Sequence, residues 1–365
     1  MKRTALYASH RRLNAALAEF AGWEMPVSYS GILAEAQAVR RAAGLFDVSH
    51  MGVIEISGAG ARRAVDGWVT CDVASLPEGR ARYGLLLNPA GGILDDLLIY
   101  SLAPDRLWII ANAVNAESDL ARAQAHSGAG GRLVPHFGHI AILALQGPRA
   151  LAIAADATGR DFSTLRRYGF ASWRADDEEW LASRTGYTGE DGLEFFCPAA
   201  AAEGLWDRLL AAGADRGLVP CGLGARDVLR IEAGNVLYGH EINEETTPVE
   251  ANLMWAVRLE KGDFIGRDAV RRAQAAEPAR RLAGLAMEER AIPRQGAPVG
   301  TDGEATGVVT SGTFSPTLDR AIALAYLPLA EGAPGRPAWV ALRGKRRRAR
   351  TTSLPFFRHP RQEGS

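Results

Sequence analysis

The spacing of apolar positions changes several times along the chain, and each change predicts an element. Residues 1–20, MKRTALYASHRRLNAALAEF, alternate apolar and charged residues like a first helix. ILAEAQAVRRAAG (32–44) keeps helical spacing up to a stop at Gly44. A strand-rich block follows. GVIEISG alternates, YGLLLN (83–88) and ILDDLLIY (93–100) flank the turn signal NPAGG as a hairpin, and LWIIAN completes the set. NAESDLARAQAHSG reads as a helix with polar start signals and a glycine stop. Beyond HIAILALQGP, helices from AAAAEGLWDRLLAAGADRG and GARDVLRIEAG mix with strands from EWLASR and LEFFCP. From about residue 280, the short runs RLAGLAM, ATGVVTSG, AIALAYLP and PAWVALRG, broken by glycine and proline, predict a small barrel or Greek-key domain. The polar helix RDAVRRAQAAEPARR connects to it. This mixed ordering indicates an α+β fold rather than a doubly wound sheet.

Composition narrows the picture. A chain of 365 residues exceeds one ordinary core and predicts two or three domains. Forty-two basic residues balance forty-two acidic ones, which excludes bulk attraction to nucleic acid or an anionic membrane. No run approaches the ~20 apolar residues needed to span a bilayer, and the first residues lack the apolar core of a secretory signal. Cys71, Cys197 and Cys221 lie far apart, without metal-ligand spacing; they fit a reducing cytoplasm with no disulfide framework and no metal site.

Several common motifs are missing. VIEISGAGARRAV has Gly58 and Gly60 but Arg63 where a dinucleotide fingerprint needs its third glycine, so it reads as a tight strand-to-helix turn. No GxSxG, Walker or HExxH pattern occurs, and HFGH (136–139) reads as two unrelated surface rings. The basic run GKRRRAR (344–350) lies between β-like stretches and reads as a solvated hairpin arm.

The candidate chemistry lies in ILDDLLIY. Adjacent strand residues face opposite ways, so one of Asp95 and Asp96 must enter an apolar setting and needs a compensating partner. Five stretches bear on that question: FDVSHMG, GGILDDL, RTGYTGEDG, GLGARD and TSGTFSPTL. In this order and at these positions they resemble the aminomethyltransferase family of the glycine cleavage system, the T-proteins. The likeness runs from LYASH to KRRRARTTSLPFFR, nearly the whole chain.

The resemblance implies three domains around a central folate channel. Residues 1–272 would form the folate-binding region, with sub-domains of 1–50 plus 138–272 and of 51–137, and residues 273–365 the C-terminal β-barrel. It implies a cytoplasmic enzyme of one-carbon metabolism and glycine catabolism, moving the aminomethyl group from the lipoyl arm of H-protein to tetrahydrofolate. The products would be 5,10-methylenetetrahydrofolate, ammonia and dihydrolipoyl H-protein. Its partners would be lipoylated H-protein, met transiently, and other components of the system.

Asp96 matches the family's channel carboxylate, placed to stabilise a substrate carbon approaching an iminium ion, so the cationic substrate would compensate its burial. Strand alternation puts Leu98 and Tyr100 on the same face, where both are expected to line the channel, while Asp95 faces protein groups. Glu194 and Arg226 match positions that hold the pterin edge and carbonyl. Met51, Tyr83, Asn112, Tyr168 and Tyr187 match positions lining the folate site, and Arg358 lies near residues that reach it from the C-terminal domain. The chain departs from the family at His240, Asn243 and Asp319, where glutamine, aspartate and glycine are usual. Related folds assist iron–sulfur or RNA-modifying enzymes, but usually carry a KGCYxGQE stretch where this chain has AGNVLYGHE. A folate-dependent demethylase and a non-enzymatic module using the basic arm are the other readings.

Overall fold

The computed structural model describes residues 1–127, 131–175 and 177–358. Helix α1 (Tyr7–Arg12) is much shorter than the helix expected over residues 1–20. Asn14 adopts a left-handed backbone at φ 54°, which asparagine tolerates better than most residues, and the helix stops before it. Strands β1 (Ala16–Phe20) and β2 (Trp23–Ser28) then form a hairpin around Ala21 and Gly22, both at positive φ. Helix α2 (Ile32–Arg41) also ends early, because Gly44 belongs to strand β3 (Ala43–Asp47). A Cβ on Gly44 would lie 2.5 Å from Val39 Cγ2 and 2.6 Å from Cys221 Sγ, so this glycine serves close packing and not a helix stop.

Next come β4 (Gly52–Ser57), α3 (Ala61–Trp68), β5 (Arg80–Leu87), β6 (Ile93–Ala103), β7 (Arg106–Ala111), α4 (Ala116–Ser127) and β8 (Arg132–Pro135). Their strands make an antiparallel sheet in the order β5-β6-β7-β4-β8. Helices α3 and α4 cover one face, with Val65 and Ala123 against Ile54, Ile99 and Ile109. The predicted hairpin is β5–β6, with Leu85 opposite Asp96 and Leu86 opposite Asp95. Its tip is held by the 243–246 loop: Ile93 N donates to the carbonyls of Asn243 and Thr246. Gly92 permits this approach, since a Cβ there would lie 1.8 Å from Glu244 O.

A second sheet, ordered β10-β11-β12-β9-β3-β13, adds β9 (Ile140–Gln146), β10 (Phe170–Ala175), β11 (Glu178–Ser183), β12 (Gly192–Pro198) and β13 (Leu218–Cys221) to β3. Helices α5 (Ala150–Thr158) and α6 (Ala202–Gly213) share one core with it. Helices α2 and α7 (Leu223–Glu232) contribute to the other. That other core joins the two sheets, because Tyr100, Trp108 and Ile110 of the first pack with Phe170 and Phe196 of the second.

Helix α8 (Arg267–Ala275) leads to a closed barrel of β14 (Arg280–Met287), β15 (Pro298–Gly300), β16 (Gly307–Ser315), β17 (Arg320–Pro328), β18 (Pro337–Leu342) and β19 (Lys345–Thr352). The α+β class and the C-terminal barrel read from the pattern are both present. The basic run is β19, paired with β18; Arg347 bonds Glu289 at 2.8 Å and Arg350 bonds Glu288 at 3.2 Å. The barrel is tied to α7 by a buried network. Glu232 accepts from Arg40 Nε at 2.9 Å and Nη2 at 2.7 Å, from Thr317 at 3.0 Å and from Ser315. Among the described residues the three cysteines are buried free thiols, and no helix is long and apolar enough to cross a membrane.

Candidate active site

The hairpin geometry answers the question raised by the paired aspartates. Asp95 is fully buried and accepts from Asn112 N at 3.0 Å, Asn112 Nδ2 at 2.7 Å and Asn115 Nδ2 at 2.9 Å. Asp96, on the other face, is half-buried, with Tyr83 Oη donating to its Oδ2 at 2.9 Å and Asn112 Nδ2 to its Oδ1 at 2.8 Å. Tyr83 pairs with Leu98 in the β5–β6 ladder, which makes it the diagonal neighbour of Asp96 on one face. Leu98 in turn pairs with Ile110 on β7, and the same register carries Asn112 opposite Asp96.

The surroundings hold Asp96 at an unusual proton affinity. Burial, then the charge of Asp95, pushes its pKa up to about 7, while the hydrogen bonds from Tyr83 and Asn112 pull the other way. A carboxyl in that range is divided between acid and base near neutral pH, which suits proton transfer and, once ionised, stabilisation of a cation.

Arg226 approaches from the first turn of α7. The start of that helix is fixed by buried Glu35, which accepts from Gly222 N at 2.9 Å and from the amides of Tyr29, Ser30 and Gly31. The Arg226 guanidinium lies over the Tyr187 ring at 4.5 Å and has no hydrogen bond or ion pair among the described residues. Burial lowers its pKa, partly offset by the charge of Glu194. Glu194 lies on β12 opposite Ser183 and is 7% exposed. Thr185 Oγ1 donates to its Oε2 at 2.5 Å. Since that uses the threonine's only proton, the Tyr100 hydroxyl, 3.2 Å from Thr185 Oγ1, is the donor in the next link.

Tyr100 therefore departs from the expected channel-lining role. It is 0% exposed, enclosed by Phe170 and Phe196, and supports Glu194 from behind through Thr185. Alternation gave its face correctly, but the second sheet covers that face. Met51, Leu98 and Tyr168 are half-buried against the core between the two sheets. Arg358 is exposed and has no hydrogen bond or ion pair to Asp96, Glu194 or Arg226 among the described residues. The adjacent Phe357 docks its amide on Glu232 O and its ring under Arg40.

The structure adds residues that pattern reading missed. Trp255 stacks on Tyr83 at 5.0 Å while 56% exposed, extending an aromatic surface outward from Asp96. His50, next to Met51 in VSHMG, is held neutral: burial and then the nearby Arg226 charge push its pKa down to about 4. Asn115 was visible only as a polar helix-start signal. His240 and Asn243 have structural contacts, His240 with Thr310 O and Ser311 Oγ and Asn243 with Thr246, while Asp319 holds a left-handed backbone at φ 47°.

Asp96, the unpaired Arg226 guanidinium and buried Glu194 are thus electrostatic neighbours beside aromatic rings, a donor and acceptor set with the chemistry to hold a planar, polar-edged molecule. Two family descriptions match the chain: the GCVT N-terminal domain over residues 6–261 and the glycine cleavage T-protein C-terminal barrel domain over residues 280–358. The chain belongs to the aminomethyltransferase family of the glycine cleavage system. The aminomethyltransferase of Symbiobacterium thermophilum is 46% identical over 368 residues, covering 99% of this chain and 98% of that one. That of Rubrobacter xylanophilus is 46% identical, covering 100% and 96%. The crystal structure of glycine cleavage system aminomethyltransferase T from Bartonella henselae superposes with a TM-score of 0.92 at 39% identity, covering 98% of both chains.

Proposed function

We propose that this chain transfers the aminomethyl group carried on the lipoyl arm of H-protein to tetrahydrofolate, releasing ammonia and leaving 5,10-methylenetetrahydrofolate and dihydrolipoyl H-protein. The observation that carries this reading is Asp96, a half-buried carboxyl with a pKa of about 7, held by Tyr83 and Asn112. The side chains around it fit a reduced pterin. Glu194 offers an acceptor to adjacent N–H groups, Arg226 offers donors to a ring carbonyl, and Tyr83, Tyr187 and Trp255 offer aromatic surface.

In this reading the ionised Asp96 faces positive charge that grows on the aminomethyl carbon as its bond to sulfur breaks. It also takes up the proton released as the first folate nitrogen bonds to that carbon, and this proton passes to the departing thiolate. The second folate nitrogen then displaces the amino group as ammonia, which leaves with that nitrogen's proton. Arg226 and Glu194 orient the ring system so that its nitrogen, rather than water, meets the carbon. Met51, Asn112, Tyr168 and Arg358 complete the folate contacts in this proposal. We place the enzyme in the cytoplasm, with H-protein as its transient partner.

The test is methylenetetrahydrofolate formation from aminomethylated H-protein and tetrahydrofolate, comparing wild type with Asp96→Asn. The reading expects an active wild type and a loss of ~100-fold or more in the variant, within the range of general acid–base effects. A wild type that binds tetrahydrofolate but transfers nothing from H-protein would redirect attention to a demethylase acting on another one-carbon donor.

A further inference from the structure

Behind Asp96 lies a second carboxyl pair that the proposed reaction does not use. Asp119, in the first turn of α4, is 4% exposed. Its Oδ1 is 3.4 Å from Arg122 Nη1, and its Oδ2 is buried without a hydrogen-bond donor among the described residues. The Asp95 carboxyl lies within hydrogen-bonding reach of the Asp119 carboxyl. Two buried anions at that separation repel, whereas one proton between them converts the repulsion into a bond. Three N–H groups point at Asp95: the backbone and side-chain nitrogens of Asn112 and the side-chain amide of Asn115. None reaches Asp119 Oδ2. The other charged or titratable groups that interact with the pair are Asp96 on β6, Tyr83 on β5, Arg122 on α4 and Tyr238 on the segment after α7.

We propose that Asp119 is a positioning residue for Asp96: Asp119 and Asp95 hold one proton between them, so the carboxyl adjacent to Asp96 never carries a full charge. This rests on the assignment of Asp96 given above. The Asp95 charge is one of the influences that raise the Asp96 pKa, and burial holds both members of the pair above the usual carboxylate range, Asp119 at about 6. Sharing the proton limits that influence. It also leaves the Asn112 amide free to bridge to Asp96.

The two partners then have opposite effects when neutralised. Asp119→Asn supplies an N–H to Asp95, fixes a full charge there and raises the Asp96 pKa. Asp95→Asn removes the adjacent charge and lowers it. Infrared spectroscopy of protein carrying ¹³C-labelled aspartate reads this without any enzyme assay. In wild type, one protonated-carboxyl band titrates with Asp96, and another persists to about pH 8, above ordinary carboxylate ionisation. Asp96→Asn keeps the persistent band; Asp119→Asn and Asp95→Asn lose it. The Asp96 titration moves up by at least ~0.5 pH unit in Asp119→Asn and down in Asp95→Asn. The acid limb of the transfer rate follows the same directions, with tetrahydrofolate affinity unchanged. Absence of the persistent band from Asp96→Asn, or equal-direction shifts in the two partner variants, overturns the proposal. If either partner variant fails to fold, the persistent band in Asp96→Asn decides alone. A wild type with the band but no transfer from H-protein leaves the shared proton standing and removes only the assigned reaction.

Discussion

The Nδ2 of Asn112 lies 2.7 Å from Asp95 Oδ1 and 2.8 Å from Asp96 Oδ1, so one amide nitrogen divides its two hydrogens between neighbouring carboxyls that face opposite sides of a strand. Only the nitrogen end of the amide can sit between two acceptors, which fixes the orientation of the side chain. Asn112 gains this reach by lying just beyond β7, opposite Asp96. Replacing it with alanine removes a hydrogen bond that favours ionised Asp96. A hydrogen bond to a charged group is worth roughly 1.5–3 kcal/mol, so Asn112→Ala is expected to slow transfer by about 10- to 100-fold and move its acid limb to higher pH. Steady-state rates across pH check this; an unmoved limb would contradict it.

The pH dependence of wild type follows from Asp96 itself. The proposed role needs the ionised form of a carboxyl whose pKa is about 7, so kcat/KM is expected to rise with pH through that value and then level off. Asp96→Asn has no such group, so its residual rate is expected to lack this limb. A rate already flat across pH 6–8 in wild type would separate the carboxyl from the chemistry.

Stability has the opposite preference. A carboxyl whose folded pKa lies above its unfolded value binds its proton more tightly in the native state. Its stabilising contribution is complete below the unfolded pKa of ~3.9 and lost as pH rises through about 7. Asp96→Asn is therefore expected to be more stable than wild type near neutrality, by roughly 2–4 kcal/mol on that shift. The advantage should shrink toward zero below ~pH 4. Thermal unfolding of both proteins across pH reads the difference directly, and a variant less stable than wild type near neutrality would refute it.

The buried Arg40–Glu232 pair gives a prediction for the barrel. Glu232→Gln leaves Arg40 facing Glu190 alone and removes the charge that Ser315 and Thr317 point at. Breaking one side of a buried pair costs about 3–5 kcal/mol, and urea unfolding is expected to show a loss in that range. A loss below ~1 kcal/mol would mean that the barrel is held to α7 by apolar packing.

What the sequence determined by itself were properties that repeat locally. Period-two alternation in ILDDLLIY separated Asp95 from Asp96, and the NPAGG turn paired the correct strands. Short strands after residue 280 announced the barrel, and the spaced motifs identified the family. The early helix failed at a single residue: Asn14 entered the left-handed region, and the chain after it found a strand partner in β2. Gly44 failed similarly, since its need for close packing comes from Cys221, distant in sequence.

Only tertiary structure decided which groups meet. Alternation assigned Tyr100 the same face as Asp96 but could not show that Phe170 and Phe196, from another sheet, cover it. Nor could spacing place Trp255 on Tyr83, Thr185 on Glu194, or Asp119 against Asp95. A strand's side-chain period is local backbone geometry, legible in a few residues. The proton affinity of a carboxyl depends on burial and on charges supplied by separate parts of the chain, and those exist only after the sheets have packed.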